Sequence, residues 1–226
     1  MYNKSLLPKR VMVLAPHADD EVLGAGGLLS RLVREQGEAL VVYGNFPSDT
    51  RMREAMNGLA VLADFEERID YDFLPFENMD CELDKLPLKR IITEIEDRVQ
   101  RFRPDLVIMP EPGGFNQDHR AISEAALAAL RPNGGTFNFR PPMVAVYEEP
   151  SDYWTLETEQ HHPILYVTLT DEDLERKCQA MRAHISQDRP HPSERGVEAI
   201  RALAVLRGAQ AGVPLAEAFE VRRWLI

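Results

Sequence analysis

The chain predicts a doubly wound α/β protein: a mostly parallel sheet with helices on both faces. Two observations predict it. Short apolar runs alternate along the chain with longer segments whose apolar residues recur at helical spacing. The first run, Val11-Met12-Val13-Leu14-Ala15, is apolar without a break, the pattern of a strand covered on both faces rather than one. With 226 residues, 44% of them hydrophobic, the chain can bury a sizeable core, and one domain over residues 1–226 is expected.

The elements follow in order. Residues 11–15 form the first strand. After a polar loop, residues 24–36 carry Leu28, Leu29, Leu32 and Val33 at helical spacing, and Gly37 stands where a C-cap glycine belongs. Residues 39–43 are a second strand, 51–62 a helix, and 71–74 a short strand. The helix at 88–101 stops before Pro104, because the residue preceding proline is pushed out of the helical region. Residues 106–109 are a buried strand, and 118–130 an Ala-rich helix. Strands follow at 143–147 and 164–168. Thr170 and Asp173 make a capping box that opens a helix reaching about residue 184. Residues 193–207 complete the series as a helix, behind a stiff loop containing Pro190 and Pro192.

Charge and cysteine usage narrow the function. Lys and Arg number 26 against 37 Asp and Glu, a net charge of −11. Nucleic acid and anionic membranes both demand a basic surface, so neither is an expected partner. Cys81 and Cys178 match no zinc-ligand spacing and no disulfide framework. The apolar run after the charged N-terminal segment is too short for a signal peptide, which needs about 7–15 residues, or for a membrane helix, which needs about 20. A cytoplasmic protein is expected.

The chemistry concentrates in Pro16-His17-Ala18-Asp19-Asp20-Glu21, directly after the first strand. In open α/β sheets, loops at the carboxyl ends of strands hold the ligands. A tight turn can aim His17 and Asp20 at one ion, leaving Asp19 for another task. A further ligand belongs at the end of a neighbouring parallel strand. The loop after residues 106–109 supplies one in Asn116-Gln117-Asp118-His119. His17, Asp20 and His119 then hold Zn²⁺ (or Fe²⁺ in the cell) with a fourth position open, the arrangement of a catalytic site. Asp19 takes the water proton as general base and returns it to a leaving amine, which is amide hydrolysis. The plainer alternatives are a solvated acidic loop, or Mg²⁺ on the carboxylates.

The segment from Ala15 to Gly27 resembles the first motif of the LmbE-like, or PIG-L, family of N-acetylglucosaminyl deacetylases, and residues 116–120 resemble its second. The resemblance implies a Rossmann-like deacetylase fold, zinc on His17, Asp20 and His119, and Asp19 as base. It implies that Asp118 orients the site and that Arg51 contacts substrate; the alternative for Arg51 is a helix-face pair with Glu54. It departs at two positions. Ala18 replaces a common proline. Asn116 replaces a common histidine; an Asn amide can donate to an oxyanion but cannot shuttle a proton. His191, then His184, are candidates to supply the missing imidazole.

The implied activity is removal of an acetyl group from a small amino-sugar substrate, such as an N-acetylglucosamine conjugate. The same site could serve another acylated amine, such as an antibiotic intermediate, or the fold could have become a non-catalytic sugar- or nucleotide-binding module. Gly24-Ala25-Gly26-Gly27 lacks the spacing of a dinucleotide fingerprint and reads as close packing of a helix start against the metal loop. Phe46, Tyr153 and Trp154 stack on a sugar or cap the core, the core being preferred for Phe46. His161-His162 reads as loop. A homo-oligomer is open.

Overall fold

A computed structural model describes residues 7–77, 79–132, 139–151 and 163–225. Seven strands form a sheet: β1 (Arg10–Ala15), β2 (Glu38–Tyr43), β3 (Ile69–Phe73), β4 (Leu106–Met109), β5 (Met143–Tyr147), β6 (Leu165–Thr168) and β7 (Ala216–Trp224). Their order is β3-β2-β1-β4-β5-β7-β6. Pairing is parallel from β3 to β5, and β7 runs antiparallel to both its neighbours. The helices are α1 (Asp20–Arg34), α2 (Asp49–Leu62), α3 (Leu88–Phe102), α4 (Gln117–Ala129), α5 (Asp171–Ala183) and α6 (Val197–Ala211).

The continuous apolar run of β1 is explained by its place. Val11, Val13 and Ala15 face one core, with residues of α1, α2, α5 and α6; Met12 and Leu14 face the other, with residues of α3 and α4. Strand alternation thus fills two cores at once. The chain first winds outward from β1 to β2 and β3, then crosses to β4 on β1's other side. The loops after β1 and β4 therefore open beside each other at the switch point, where such sheets hold ligands. Among the described residues no helix is long and apolar enough to cross a membrane.

Four expectations are corrected. Helix α1 begins at Asp20, not residue 24; the loop is already closed by His17 N donating to Asp20 Oδ2 at 2.8 Å, and the acidic first turn suits the helix's positive end. Its end places the left-handed residue at Gln36 (φ 62°), not Gly37. Gly37 is needed for space, since a Cβ there would lie 2.3 Å from Leu32 Cδ1. Helix α6 starts at Val197 because Ser193 and Gly196 first close turns of their own. The glycines of α1 make room for residues other than the metal loop: a Cβ on Gly24 would strike the Tyr147 ring at 2.4 Å, and one on Gly27 would meet Leu169 at 2.6 Å and Glu217 at 2.9 Å.

Strand β7 lies beyond the last element expected from sequence, and it anchors α1. Buried Glu217 accepts from Gly27 N and Leu28 N, both at 2.7 Å, and from Lys177 Nζ at 2.6 Å. Lys177 Nζ also donates to Leu23 O at 2.8 Å. Deleting one member strands the other as an unpaired buried charge. Glu217→Ala is expected to lower stability by about 3–5 kcal/mol in urea unfolding, whereas removing the exposed pair Lys85–Glu82 should leave the unfolding midpoint nearly unchanged.

Candidate active site

Three side chains converge where β1 and β4 end. Asp20 Oδ2 lies 3.2 Å from His17 Nδ1 and 3.1 Å from His119 Nε2. All three are buried, and their ligand atoms lie within 4.8 Å of one another. Two imidazoles and a carboxylate suit zinc or ferrous iron and leave room for a further ligand. The donor set therefore fits a resident transition metal.

Asp118 fixes which nitrogen of His17 faces that point. Its Oδ2 lies 3.0 Å from His17 Nε2, while Cys81 N (2.8 Å, to Oδ2) and Leu83 N (2.9 Å, to Oδ1) donate to the fully buried carboxylate. An Nε2–H bonded to Asp118 leaves the Nδ1 lone pair for a metal. A second grouping, His17 with Asp80, Cys81 and Asp118, draws on that same Nε2. Its hydrogen bond to Asp118 makes the His17, Asp20 and His119 set the better metal site. The structure thus places Asp118 against His17.

Asp19 precedes α1 but caps nothing with its side chain. It is fully buried between two guanidiniums. Arg51 Nη2 donates to Asp19 Oδ1 at 3.0 Å and to Ala18 O at 2.9 Å. Arg195 Nη1 lies 3.2 Å from Oδ2, yet Oδ2 accepts no aligned hydrogen bond among the described residues. Burial, then the Asp20 charge, push the Asp19 carboxyl above its usual range, and Arg195 and Arg51 pull the other way. Burial opposes charge on Asp20 too, but His119 and His17 outweigh it and hold its carboxyl well below the ordinary range.

The remaining candidates separate. Asn116 is the N-cap of α4, its Oδ1 accepting from Asp118 N at 2.9 Å. That leaves its amide N–H₂ as the donor at the site, and explains an Asn here, a strong N-cap residue. Arg51 does not pair with Glu54, which is instead bound by Ser186 N (2.8 Å) and Ser186 Oγ (2.6 Å). His191 stays exposed on its loop; the residue of that segment reaching the site is Arg195, which no sequence pattern singled out. His184 is wholly enclosed, its Nε2 3.2 Å from buried Glu21 Oε1. Burial disfavours its charged form, but Glu21 outweighs that and raises its pKa. It packs against Glu21 behind the site and has no exposed surface. Phe46 is 46% exposed, a rim residue and not core. Tyr153, Trp154, His161 and His162 lie outside the described residues.

A cavity of about 430 Å³ opens beside His17 and Arg51. A smaller lobe, lined by Asn116, His119 and Arg195 among others, opens on the far side of Asp20.

A family model described as PIG-L, GlcNAc-PI de-N-acetylase, matches residues 12–130, from β1 through α4 and so across both motifs. Several solved structures share the fold. The N,N'-diacetylchitobiose deacetylase of Pyrococcus horikoshii is 23% identical with a TM-score of 0.71, over 96% of this chain and 84% of that one. The zinc-inhibited form of teicoplanin deacetylase Orf2 is 16% identical with a TM-score of 0.72, over 94% and 97%. The 4-carboxy-2-hydroxymuconate hydratase GalB of Pseudomonas putida KT2440 is 18% identical with a TM-score of 0.68, over 96% and 98%. A curated protein described as glucosamine-6-phosphate deaminase-like, from Bacteroides thetaiotaomicron, is 50% identical over only 36 residues, spanning 16% of this chain and 5% of that protein.

The electrostatics predict how a metal enters. Burial works against a charged His17, but Asp118 and Asp20 overcome it and push its pKa from 6.5 to about 10. In the metal-free protein this pairing stabilises fully below 6.5, and the contribution is lost as pH rises toward 10. A metal must displace that proton. Calorimetry in buffers of different ionisation enthalpy should show about one proton released per metal near neutral pH, with apparent affinity falling as pH falls. Asp118→Ala should weaken metal binding by about 10–100-fold.

Proposed function

The chain belongs to the PIG-L family of de-N-acetylases, and on that premise we propose that it is a zinc-dependent hydrolase removing an acetyl group from a small amino-sugar conjugate. The observation that carries this reading is Asp19. It is a buried carboxylate with one oxygen lacking an aligned hydrogen bond, placed next to three convergent metal-ligand atoms.

His17, Asp20 and His119 would hold the metal, which supplies Lewis acidity to the amide carbonyl and to the attacking water. Asp19 receives the water proton on Oδ2 as the water oxygen attacks the carbonyl carbon. Its raised pKa brings it nearer neutrality than a free carboxylate, which improves a base that must also give the proton back. Arg51 holds Oδ1 by an aligned bond, and Arg195 adds positive charge beside Oδ2 without binding it. The Asn116 amide is the donor available to the oxyanion. The C–N bond breaks as Asp19 returns its proton to nitrogen, giving a free amine and a carboxylate. Because Asp19 serves in both directions, the shuttle asks nothing of the imidazole that Asn116 lacks.

The same apparatus would hydrolyse another acylated amine, and the teicoplanin deacetylase shares this fold. The choice is settled by amine release from a panel of N-acetylated sugars and acylated antibiotic intermediates with zinc-loaded protein. Asp19→Asn should keep its metal and lose about 10²–10⁴-fold in kcat. Full activity in that variant would overturn the assignment. Activity should also fall as pH drops through the raised Asp19 pKa, an acid limb above the ordinary carboxylate range.

A further inference from the structure

The two guanidiniums beside Asp19 treat its carboxylate differently. Arg51 Nη2 bonds Oδ1, whereas Arg195 Nη1 stands 3.2 Å from Oδ2 without an aligned bond. A guanidinium this close to a buried carboxylate oxygen ordinarily bonds it, because charge-assisted hydrogen bonds are the strong ones. Gln187 holds it back: its Oε1 accepts from the same Arg195 Nη1 at 2.6 Å. The N–H directions of a guanidinium are fixed in one plane. Seating one hydrogen on Gln187 therefore turns the whole group and leaves Oδ2 out of line.

Gln187 is itself fixed in place. It is half-buried in the turn after α5, where its N donates to His184 O at 2.8 Å. Its Nε2 donates to Ser186 Oγ at 3.1 Å. The amide thus has its oxygen left for Arg195, a side chain that can only donate. Ser186 is tied in turn to buried Glu54, through N at 2.8 Å and Oγ at 2.6 Å. Arg51 and Glu54 stand three residues apart on α2, neighbours on one face of that helix. One helix therefore governs both sides of Asp19: directly through Arg51, and through Glu54, Ser186 and Gln187 by way of Arg195.

We infer that Gln187 is a positioning residue for the general base: by occupying Arg195 Nη1 it keeps that guanidinium beside Asp19 Oδ2 but off it, so that the oxygen stays open to the proton of the attacking water. An oxygen capped by the guanidinium would have to give up a charge-assisted hydrogen bond before it could take a proton. A neutral amide suits this task. It accepts from Arg195 without cancelling the positive charge that compensates buried Asp19. The inference rests on Asp19 acting as the base of a hydrolase, but the placement of Arg195 is read separately from turnover.

The test is Gln187→Met, which keeps the side-chain length and removes the acceptor; Gln187→Ala gives the same readout should Met disturb the turn. Crystal structures of the zinc-loaded proteins should show Arg195 Nη1 bonded directly to Asp19 Oδ2 in the variant and not in the wild type. On whichever N-acetylated sugar or acylated amine the wild type turns over, kcat should fall by about 10–100-fold, the scale of one hydrogen bond between charged groups. KM and zinc content should stay as they were. Gln187→Glu, which restores an acceptor, should recover most of the loss. In an Arg195→Met background, Gln187→Met should cost less than about twofold, whereas a merely structural role would cost the same in either background. Unchanged kcat in Gln187→Met, an Arg195 that stays off Oδ2, or additive losses in the double variant would overturn the inference. Arg195 moving onto Oδ2 in a protein whose wild type hydrolyses no acylated amine would uphold the positioning and overturn the hydrolase reading.

Discussion

Four carboxylates are removed from water around the start of one helix, and each has to be compensated where it stands. Asp19, Asp20, Glu21 and Asp118 are at most 1% exposed. Isolated, each would neutralise rather than stay charged. Asp20 is matched by two imidazoles, Asp19 by two guanidiniums, Glu21 by His184, and Asp118 by two backbone amides and His17. These partners come from every part of the chain, so the need to compensate the four charges organises the packing of α2, α4, α5 and the 184–195 segment around α1. The positive end of α1 adds a favourable field for the acidic pair in its first turn.

Reactivity arises from how unequal those compensations are. Asp20 is oversupplied with positive partners, which hold its carboxyl well below the ordinary range. Asp19 is supplied on one oxygen by an aligned bond and on the other only by proximity. Two neighbouring carboxylates are thereby driven apart in pKa, and division of labour between adjacent acids takes this form. The fold alone would not choose the reaction: a hydratase and two deacetylases share it at 16–23% identity.

Much of this was legible in the sequence because it is local. The apolar run of β1, the i to i+3 spacing of His17 and Asp20, and the Thr170–Asp173 capping box are each read within a few residues. The partnership of His17 with His119 was reachable because parallel-sheet topology constrains which strand ends meet. Arg195 and the anchor at Glu217 were not legible. Each depends on a loop path or a strand position that has no local signature. Strand β7 alternates only in part: Ala216 and Ala218 flank Glu217, but Phe219 and Val221 fall in the opposite phase, and the break weakens the signal. His191 was favoured for the stiffness of its loop, and stiffness says nothing of direction. His184 lies at the end of its helix as expected, yet the helix end turns inward.

The anchoring of α1 by Glu217 also bears on how the protein is made. A ribosome delivers the HADDE segment before the α4 histidine, and Glu217 after both. Until β7 emerges, the amides of Gly27 and Leu28 and the Lys177 ammonium lack their acceptor, and α1 cannot dock firmly on the growing sheet. Contacts so distant in sequence form slowly. The nascent chain therefore presents His17, Asp20 and His119 before the contact that anchors their neighbouring helix can exist.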